Sequence, residues 1–404
     1  MLSVKSPEEA LKIISDNFST DITDVFNNDE TVNTIEALCR TLQRDIISNE
    51  DVPGFDRSTV DGYAVISSDT FGCSESIPAV LELLGEIPMG ESSSFTLTPG
   101  TCVAVSTGGE IPEGADSVVM LEYTEDFGSK MIGIQKPSAP GNNVIFKGDD
   151  VSSGCIVLKA GTQLSPHDIG ILSALGFGKV SVRKKPVIGV ISTGDELVPV
   201  LQTPQSGQIR DVNTPMLLAA VTGFGAEAWD FGIIRDDEAA IRNAVLSAVK
   251  RCDIVLISGG SSAGARDMTA HIIESEGEVL LHGIAMKPGK PTILGKIKNK
   301  PVFGLPGHPV AAYLVTELFV RPLIAELTGA DLIRKTTKAF INEAMSSNHG
   351  RAEYIAVRLA DGIAYPIRGK SGLIASLAGV DGYICIPRDK EGLAAGDEVT
   401  VVYF

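Results

Sequence analysis

Two lysines three residues apart are the side chains whose type and spacing point most directly to chemistry. Lys287 and Lys290 lie in residues 286–291 (MKPGKP). Prolines stiffen this backbone, and a glycine lets it approach a ligand closely. Such a loop could clamp an anion with two ammonium groups. A solvated connector that happens to be basic is the alternative, and the segment alone leaves both readings open.

The elements that must position these lysines follow an alternating pattern. Residues 183–333 alternate apolar strands with helices, which predicts a parallel sheet covered on both faces. In such sheets the ligand lies beyond the carboxyl ends of the strands. Three glycine-containing polar loops leave those ends, namely residues 192–197 (STGDEL), 258–267 (SGGSSAGARD) and 304–309 (GLPGHP).

These loops offer groups for an anion and for a cation. Glycine-rich turns expose backbone N–H groups that suit phosphate or another oxyanion. Asp195, Glu196 and Asp267 could hold a divalent cation, which takes carboxylate and phosphate oxygens together. The alternative is that the carboxylates cap helices, which fits Asp267 well and Glu196 poorly. The loops contain neither the GxxxxGK(S/T) pattern of P-loops nor the GxGxxG pattern of dinucleotide-binding folds.

The whole chain predicts a multidomain α/β plus β protein. Its 404 residues are too many for one ordinary core. We expect a helical linker domain in which residues 7–18 and 31–41 are helices, an inserted domain of short β-strands, the α/β domain, and a small C-terminal β-barrel or sandwich. In this order the domains comprise residues 1–50 with 151–182, residues 51–150, residues 183–333 and residues 334–404.

Composition excludes several classes of protein. The formal net charge is −17, whereas a general nucleic-acid binder should be basic. No run of about 18 apolar residues predicts a membrane span, and the first residues do not resemble a secretory signal. The six cysteines are scattered without a CxxC pair, which predicts reduced thiols in the cytoplasm and argues against a zinc site.

Seven of the polar segments occur in the order found in one known family. The chain resembles the MoeA family of molybdopterin molybdenumtransferases, to which the C-terminal domain of gephyrin-like proteins is related. The match extends over nearly the whole length. Its segments are residues 53–64 (PGFDRSTVDGYA), 107–116 (TGGEIPEGAD), 140–150 (ending GDD), 192–199 (STGDELVP), 259–267 (GGSSAGARD), 286–291 (MKPGKP) and 304–309 (GLPGHP).

The resemblance implies a fold, an assembly and a reaction. It implies a four-domain homodimer with a central MogA-like α/β domain, residues 1–50 and 151–182 serving as linker and dimerisation domain. The site would lie between the α/β domain of one subunit and the inserted β domain of the other. The implied reaction converts adenylylated molybdopterin and molybdate into molybdenum cofactor and AMP with a divalent cation, Mg²⁺ being expected. A MogA-like adenylyltransferase and recipient molybdoenzymes are the protein partners that the resemblance suggests.

The resemblance also assigns roles to residues, position by position. The lysines would offset the charge of molybdate or of the phosphates, and Ser371 is carried over from a looser match. The implied catalytic residues are Asp61, Thr107, Glu196, Asp267, Lys287 and Lys290, of which Asp61, Glu196 and Asp267 would bind the metal. The implied substrate-binding residues are Asp150, Thr193, Gly194, Asp195, Asp237, Gly259, Gly260, Ser262, Pro306, Gly307, His308, Pro309 and Ser371.

Two departures from the family pattern leave details open. His308 stands where the family usually has Asn, and Lys147 ends a segment where the family often has an arginine-rich run. The alternatives to molybdenum insertion are a molybdopterin adenylyltransferase acting one step earlier, an insertase that prefers tungstate, and a non-catalytic dimeric scaffold.

Overall fold

The structure is a computed structural model that describes residues 4–18, 28–259, 263–330, 334–367 and 372–404, with only the backbone described for residues 263–267. The chain divides into two compact units. The larger unit comprises Met1–Val32, Cys39–Gln43 and Ser181–Phe404, and the smaller unit comprises Asn33–Leu38 and Arg44–Val180.

The helices and strands of the described residues are numbered in chain order. The helices are α1 (Pro7–Phe18), α2 (Pro166–Ala174), α3 (Asn213–Gly223), α4 (Glu238–Arg251), α5 (Ala263–Glu276), α6 (Pro309–Val315) and α7 (Arg321–Thr328), with a π-helical segment at Thr316–Val320 and short 3₁₀ turns at Thr34–Ala37, Ser67–Thr70, Leu121–Tyr123 and Ile374–Leu377. The strands are β1 (Asp29–Asn33), β2 (Ile46–Ile47), β3 (Arg57–Ser58), β4 (Gly62–Val65), β5 (Ala79–Ile87), β6 (Thr101–Val105), β7 (Ser117–Met120), β8 (Thr124–Asp126), β9 (Met131–Ile134), β10 (Val144–Ile145), β11 (Ile156–Leu158), β12 (Lys179–Arg183), β13 (Val187–Thr193), β14 (Leu197–Val198), β15 (Ile209–Arg210), β16 (Glu227–Ile234), β17 (Ile254–Gly259), β18 (Glu278–His282), β19 (Met286–Lys287), β20 (Ile293–Ile297), β21 (Lys300–Leu305), β22 (Thr336–Ile341), β23 (Met345–Ser346), β24 (Ala352–Ala360), β25 (Ile363–Pro366), β26 (Gly382–Ile386), β27 (Gly392–Leu393) and β28 (Glu398–Tyr403).

A six-stranded sheet covered on both faces forms the centre of the larger unit, as the alternating pattern predicted. Its strand order is β16-β13-β17-β21-β20-β18. One face of β13 and β17 packs against α3 and the helical region 309–328, in a core that includes Val190, Leu217 and Phe319. The other face packs against α4 and α5, in a core that includes Val245 and Ile257. Buried apolar side chains on alternate faces of each strand hold these two layers of helices in place.

The sheet is parallel on one side and antiparallel on the other, which corrects the expectation of a purely parallel sheet. Strands β16, β13, β17 and β21 pair in parallel, whereas β20 is antiparallel to both β21 and β18. The sequence reading missed β20, a five-residue strand interrupted by Gly295. Gly295 is required there because a Cβ would lie 2.1 Å from the Ile273 side chain and 2.7 Å from the Glu278 carbonyl oxygen.

A closed β-barrel follows at the C-terminal end of the larger unit, as predicted. The strands pair in the order β24-β25-β22-β28-β26, and β24 also pairs with β26, which closes the ring. Inward-facing residues such as Ile341, Val357, Ile384 and Val401 form its core. The two-residue strand β19, which belongs to the lysine loop (residues 286–291), pairs in parallel with β24 of this ring. The lysine loop is therefore held by the barrel through backbone pairing.

The smaller unit is built around a second six-stranded sheet. Its order is β7-β4-β6-β5-β9-β8, with β4 antiparallel to β6 and β7. Buried residues such as Val103 and Val118 form a core on one face, and Cys102 and Ile132 belong to a core on the other. Short strands rich in β-branched residues agree with the β-rich region expected for residues 51–150, while the four domain boundaries stay a prediction.

Of the two helices predicted for the linker region, residues 7–18 form α1 and residues 31–41 do not form an α-helix. Helix α2 begins after Ser165, whose hydroxyl and Asp168 form the reciprocal bonds of a capping box. The helix predicted for residues 31–41 is wrong, because β1 and a single 3₁₀ turn occupy the segment. Ile35 is 75% exposed and Leu38 is 45% exposed, so the apolar spacing does not form one buried face, and Cys39 has a φ of 62° that a right-handed helix does not allow. No helix in the described ranges is long and apolar enough to cross a membrane.

Candidate functional site

A cavity of about 580 Å³ lies at the carboxyl ends of β13, β17 and β21, where the loops were predicted to meet. The structure brings six of the predicted site residues together in its wall. They are Thr193, Glu196, Gly259, Gly307, His308 and Pro309. Pro306 is buried in the same turn, directly before Gly307. The spatial prediction for these loops is thus met, while the chemical role of each residue stays a prediction.

Close backbone approach shapes this cavity. Gly259 ends β17 with a φ of 144°, and a Cβ there would lie 2.2 Å from the carbonyl oxygen of Thr193. The neighbouring strands β13 and β17 can therefore come together at this point only with a glycine. Helix α6 begins directly after His308 with Pro309 at its first position. A glycine turn and a helix N-terminus therefore both lie in the cavity wall, and backbone N–H groups at such places can bind an oxyanion.

A second cavity of about 590 Å³ adjoins the lysine loop, and His308 lines both cavities. Its wall includes Lys287, Glu353 and apolar side chains of helix α6 and of the barrel. Lys287 Nζ lies 2.7 Å from Oε1 of Glu353, and the two residues are register partners in the β19–β24 pair. Lys290 is exposed and forms no ion pair with a carboxylate in the described part of the chain. The loop is therefore fixed to the barrel at Lys287, while its role as an anion clamp stays a prediction.

Carboxylates crowd the loop that follows β13. A Cβ on Gly194 would lie 2.8 Å from Oε2 of Glu196, so the carboxylate lies directly over the glycine backbone. The backbone N–H of Asp236 donates to Asp195 over 3.4 Å. Burial raises the pKa of Asp236, and the nearby charges of Glu196 and Asp195 raise that pKa further. Concentrated negative charge of this kind fits a divalent cation, whose preferred ligands are carboxylate oxygens.

The predicted metal set is not assembled by the residues that can be described. Across those ranges no group of three His, Cys, Asp or Glu side chains is arranged to hold a metal ion. Gly260, Ser262 and Ser371, together with the side chain of Asp267, lie outside the described part of the molecule. The assignment of Asp61, Glu196 and Asp267 as metal ligands stays a prediction.

Gly194, Asp195 and Asp237, which were also predicted for the site, do not line the 580 Å³ cavity. Gly194 and Asp195 line a neighbouring cavity of about 840 Å³. Asp237 is the N-cap of α4, and its side chain accepts a hydrogen bond from the backbone N–H of Ala240 over 2.8 Å. Helix capping accounts for this carboxylate without a ligand.

Sequence reasoning missed a buried polar network beneath the cavity. Asn213 Nδ2 donates to Ser258 Oγ over 2.7 Å and to the carbonyl oxygen of Gly307 over 2.9 Å. Asp211 accepts from the hydroxyl of Ser192 over 3.1 Å and from the backbone N–H of Thr214 over 3.0 Å. The signal in the sequence was a pair of polar residues, Asp211 and Asn213, at the start of an apolar helix. These residues were interpreted only as a helix start, although polar side chains at this position could also have been predicted to face the edge of the sheet.

The smaller unit brings two further predicted residues together. Thr107 donates its backbone N–H and its hydroxyl to Oδ1 of Asp61. Only glycine fits at position 62, directly after Asp61, because a Cβ there would lie 2.0 Å from the carbonyl oxygen of Val119 on the paired strand. Asp150 is exposed, and its backbone N–H donates to the carbonyl oxygen of Val52. Lys147 pairs with Asp51 at 3.6 Å.

This architecture defines a multidomain α/β protein with a cavity at one edge of its central sheet and a C-terminal β-barrel. Three family models match the chain: "MoeA N-terminal region (domain I and II)" over residues 5–176, "Probable molybdopterin binding domain" over residues 189–326, and "MoeA C-terminal region (domain IV)" over residues 338–404.

Relatives that match almost the whole chain also come from this family. The molybdopterin molybdenumtransferase of Bacillus subtilis is 33% identical over 381 residues, covering 91% of this chain and 88% of that protein. The molybdopterin molybdenumtransferase of Staphylococcus aureus is 32% identical, covering 92% of this chain and 90% of that one. A crystal structure of the molybdopterin biosynthesis MoeA protein from Pyrococcus horikoshii superposes with a TM-score of 0.86 at 38% identity, covering 99% of each chain. The chain therefore belongs to the MoeA family of molybdopterin molybdenumtransferases.

Proposed function

We propose that the protein inserts molybdenum into molybdopterin, with adenylylated molybdopterin and molybdate as substrates and molybdenum cofactor and AMP as products. Membership of a family of molybdenumtransferases supports the insertion step. The observation that carries the assignment to this site is the position of His308, which lines both the cavity formed by the glycine loops and the cavity next to Lys287. A phosphate-bearing substrate in the first cavity would then lie beside the lysine loop that binds the oxyanion.

In this proposal the glycine loops bind the phosphates of one substrate, and the lysines bind the oxyanion of the other. Backbone N–H groups near Gly259 and Gly307 suit the phosphates of adenylylated molybdopterin. Lys287 and Lys290 offset the two negative charges of molybdate. Ammonium groups held where negative charge develops stabilise that charge in the transition state. A net charge of −17 makes this local basic edge necessary, because the protein as a whole repels anions.

The carboxylates serve the cation that the reaction requires. A bound Mg²⁺ would neutralise charge on the phosphate oxygens as AMP leaves. Glu196, with Asp195 and Asp236 beside it, supplies hard oxygen ligands in the larger unit, and Asp267 is the further carboxylate expected there. Asp61, held by Thr107, is the ligand expected from the inserted β region of a second copy in the homodimer.

A cytoplasmic location follows from the reduced thiols expected of the scattered cysteines.

The decisive experiment measures AMP release from adenylylated molybdopterin by the full-length protein. We expect release to require both molybdate and Mg²⁺. Lys287→Ala should lower the rate by about 10²- to 10³-fold, as expected when a charge-stabilising group is removed. Lys250→Ala, which removes an exposed lysine at the end of α4, should match the wild type.

Other outcomes would identify the alternatives. AMP release that is independent of molybdate would overturn the proposal, and ATP consumption with molybdopterin would identify an adenylyltransferase. Absence of any turnover in the wild type would favour a scaffold. A parallel series with tungstate would reveal a tungstate-preferring insertase.

A further inference from the structure

The ammonium group of Lys287 already has an internal anion as its partner. Its Nζ lies 2.7 Å from Oε1 of Glu353. The lysine side chain is 54% exposed, whereas the glutamate side chain is only 13% exposed. The lysine thus reaches from the surface toward a carboxylate in the wall of the second cavity. A substrate oxyanion that binds Lys287 must approach this carboxylate as well.

The carboxylate is the fixed member of this pair. Ser347 donates its hydroxyl to Oε2 of Glu353 over 2.7 Å, so both carboxylate oxygens have partners. Glu353 lies on β24 between β19 and β26, opposite Lys287 on one side and Ile386 on the other. Lysine has a flexible four-carbon stem and three donors on its ammonium group. An arriving oxyanion can therefore take free donors of Lys287, but it cannot displace the negative charge of Glu353.

We propose that Glu353 is a specificity-determining residue for oxyanion binding: a built-in counter-anion that lowers the affinity of the Lys287 site, and lowers it more for dianions than for monoanions. This inference rests on the proposed function, in which Lys287 binds the substrate oxyanion.

The size of the effect follows from Coulomb's law. An oxyanion bound to the far side of the ammonium group lies about 6 Å from the carboxylate, the span of two hydrogen bonds in series. Even with the dielectric constant of water, that repulsion weakens binding of a dianion about tenfold and of a monoanion about threefold. The effect depends on ligand charge and not on ligand shape, which separates it from a steric role of Glu353.

Weaker binding of molybdate before the chemical step is compatible with fast turnover. An enzyme gains rate only from interactions that are stronger in the transition state than with the bound substrate. A lysine whose charge is partly compensated holds molybdate loosely and does not trap it. The barrel, which supplies Glu353, thereby sets the strength of the lysine loop of the α/β region.

The test compares two tetrahedral oxyanions of different charge, molybdate and perrhenate, by calorimetric titration of the full-length protein. Glu353→Gln keeps the shape of the side chain and removes its charge. We expect it to bind molybdate about tenfold and perrhenate about threefold more tightly than the wild type. Glu398→Gln, which removes the glutamate of the exposed Lys338–Glu398 pair on the same barrel, should leave both affinities unchanged.

The ratio of the molybdate affinity to the perrhenate affinity separates the charge effect from a folding defect, because a folding defect changes both affinities by the same factor. Glu353→Asp keeps the charge, so its molybdate-to-perrhenate ratio should equal that of the wild type, whereas the ratio should rise about threefold in Glu353→Gln. Equal gains for both anions, or no gain, would overturn the inference. If Lys287→Ala binds molybdate as tightly as the wild type, the proposed role of the lysine fails instead. If Lys287→Ala weakens binding and Glu353→Gln changes nothing, only the role of Glu353 fails.

Discussion

Thr107 donates its backbone N–H and its hydroxyl to the same oxygen, Oδ1 of Asp61, over 2.7 and 3.1 Å. Both residues are exposed at the end of paired strands in the smaller unit. Within the described chain, no residue donates a hydrogen bond to Oδ2 of Asp61. The threonine therefore orients the carboxylate so that its second oxygen faces solvent and can take a cation or a substrate donor.

We expect Asp61→Asn to abolish AMP release without destabilising the fold. The amide keeps the acceptor oxygen for Thr107 but removes the charge that a divalent cation requires. The rate should fall at least about 10²-fold, as for loss of a group that stabilises transition-state charge. The measurement combines the AMP-release assay with the thermal midpoint, which should shift by less than about 2 °C because exposed substitutions are usually near neutral.

Asp116 provides the matched control in the same sheet. It accepts hydrogen bonds from the backbone N–H and the hydroxyl of Ser67 over 2.6 and 2.7 Å, and it is half-buried. Asp116→Asn removes a charged acceptor with a structural task, so it should lower stability by about 1.5–3 kcal/mol. Full activity in Asp61→Asn, or an equal loss of stability in both variants, would contradict the division of roles between these two carboxylates.

A second prediction concerns Asn213, which ties two loops of the site together. Because both protons of its Nδ2 are used by Ser258 and Gly307, Asn213→Ala leaves a buried hydroxyl and a partly buried carbonyl without this donor. The cost should be about 1–3 kcal/mol of stability. Asn213→Asp should be worse, since a carboxylate oxygen would face the carbonyl oxygen of Gly307. Thermal midpoints and the KM for adenylylated molybdopterin measure the two consequences.

Asn243 is the control for this prediction. It is an exposed asparagine within helix α4, so Asn243→Ala should leave the KM unchanged and raise stability slightly through better helix propensity. If Asn213→Asp were as stable as the wild type, the side-chain amide would not hold the turn at Gly307, and the orientation assigned to it would be wrong.

Glu196 and Asn213 both line the cavity, but only Glu196 was predicted from the sequence to belong to the site. Glycine loops after apolar strands are local signals, and a parallel arrangement brings their ends to one edge, so the cavity wall could be predicted. The contact of Lys287 with Glu353 could not be predicted, because it depends on the pairing of β19 with β24, two strands that are far apart in the sequence. Asn213 was missed because its position at a helix start gives no sign that Gly307 lies beside it. Strand β20 was missed because Gly295 and Lys296 interrupt a short apolar run.

A third prediction concerns Glu317, a fully buried carboxylate in the π-helical segment between α6 and α7. Oε1 of Glu317 lies 2.6 Å from Arg321 and 3.8 Å from Arg334, and its side chain is 0% exposed. Arg334 also bonds the Glu317 carbonyl oxygen and the hydroxyl of Tyr383 in the barrel. Glu317→Gln leaves two guanidinium groups without their counter-charge, so stability should fall by about 3–5 kcal/mol. Urea unfolding measures the shift.

The exposed pair Glu238–Arg242 has the same spacing and serves as the control for Glu317. Its side chains are 44% and 31% exposed, so Glu238→Gln should cost only about 0.3–0.5 kcal/mol. A Glu317→Gln variant that unfolds at the same urea concentration as Glu238→Gln would show that the buried carboxylate does not hold the helix and the barrel together.

The last prediction follows from two buried thiols and concerns alkaline pH. Burial raises the pKa of Cys102 from 9.0 to about 12 and that of Cys252 from 9.0 to about 11. Both side chains are 0% exposed. Between pH 9 and these values the unfolded chain releases thiol protons that the folded protein retains. Stability is therefore fully present below pH 9 and falls as the pH rises, by about 1.4 kcal/mol per pH unit for each thiol.

Urea midpoints measured from about pH 8 to about pH 11 give this slope. Cys102→Ala should flatten it, because one titrating group is removed, whatever the variant costs in absolute stability. Cys155→Ala removes an exposed thiol of the same unit and should keep the wild-type slope. In the native state a thiol reagent should modify Cys155 rapidly and Cys102 only after unfolding, since the thiolate is the reactive form. A Cys102→Ala slope equal to that of Cys155→Ala would mean that the Cys102 thiol titrates at the same pH in the folded and the unfolded chain.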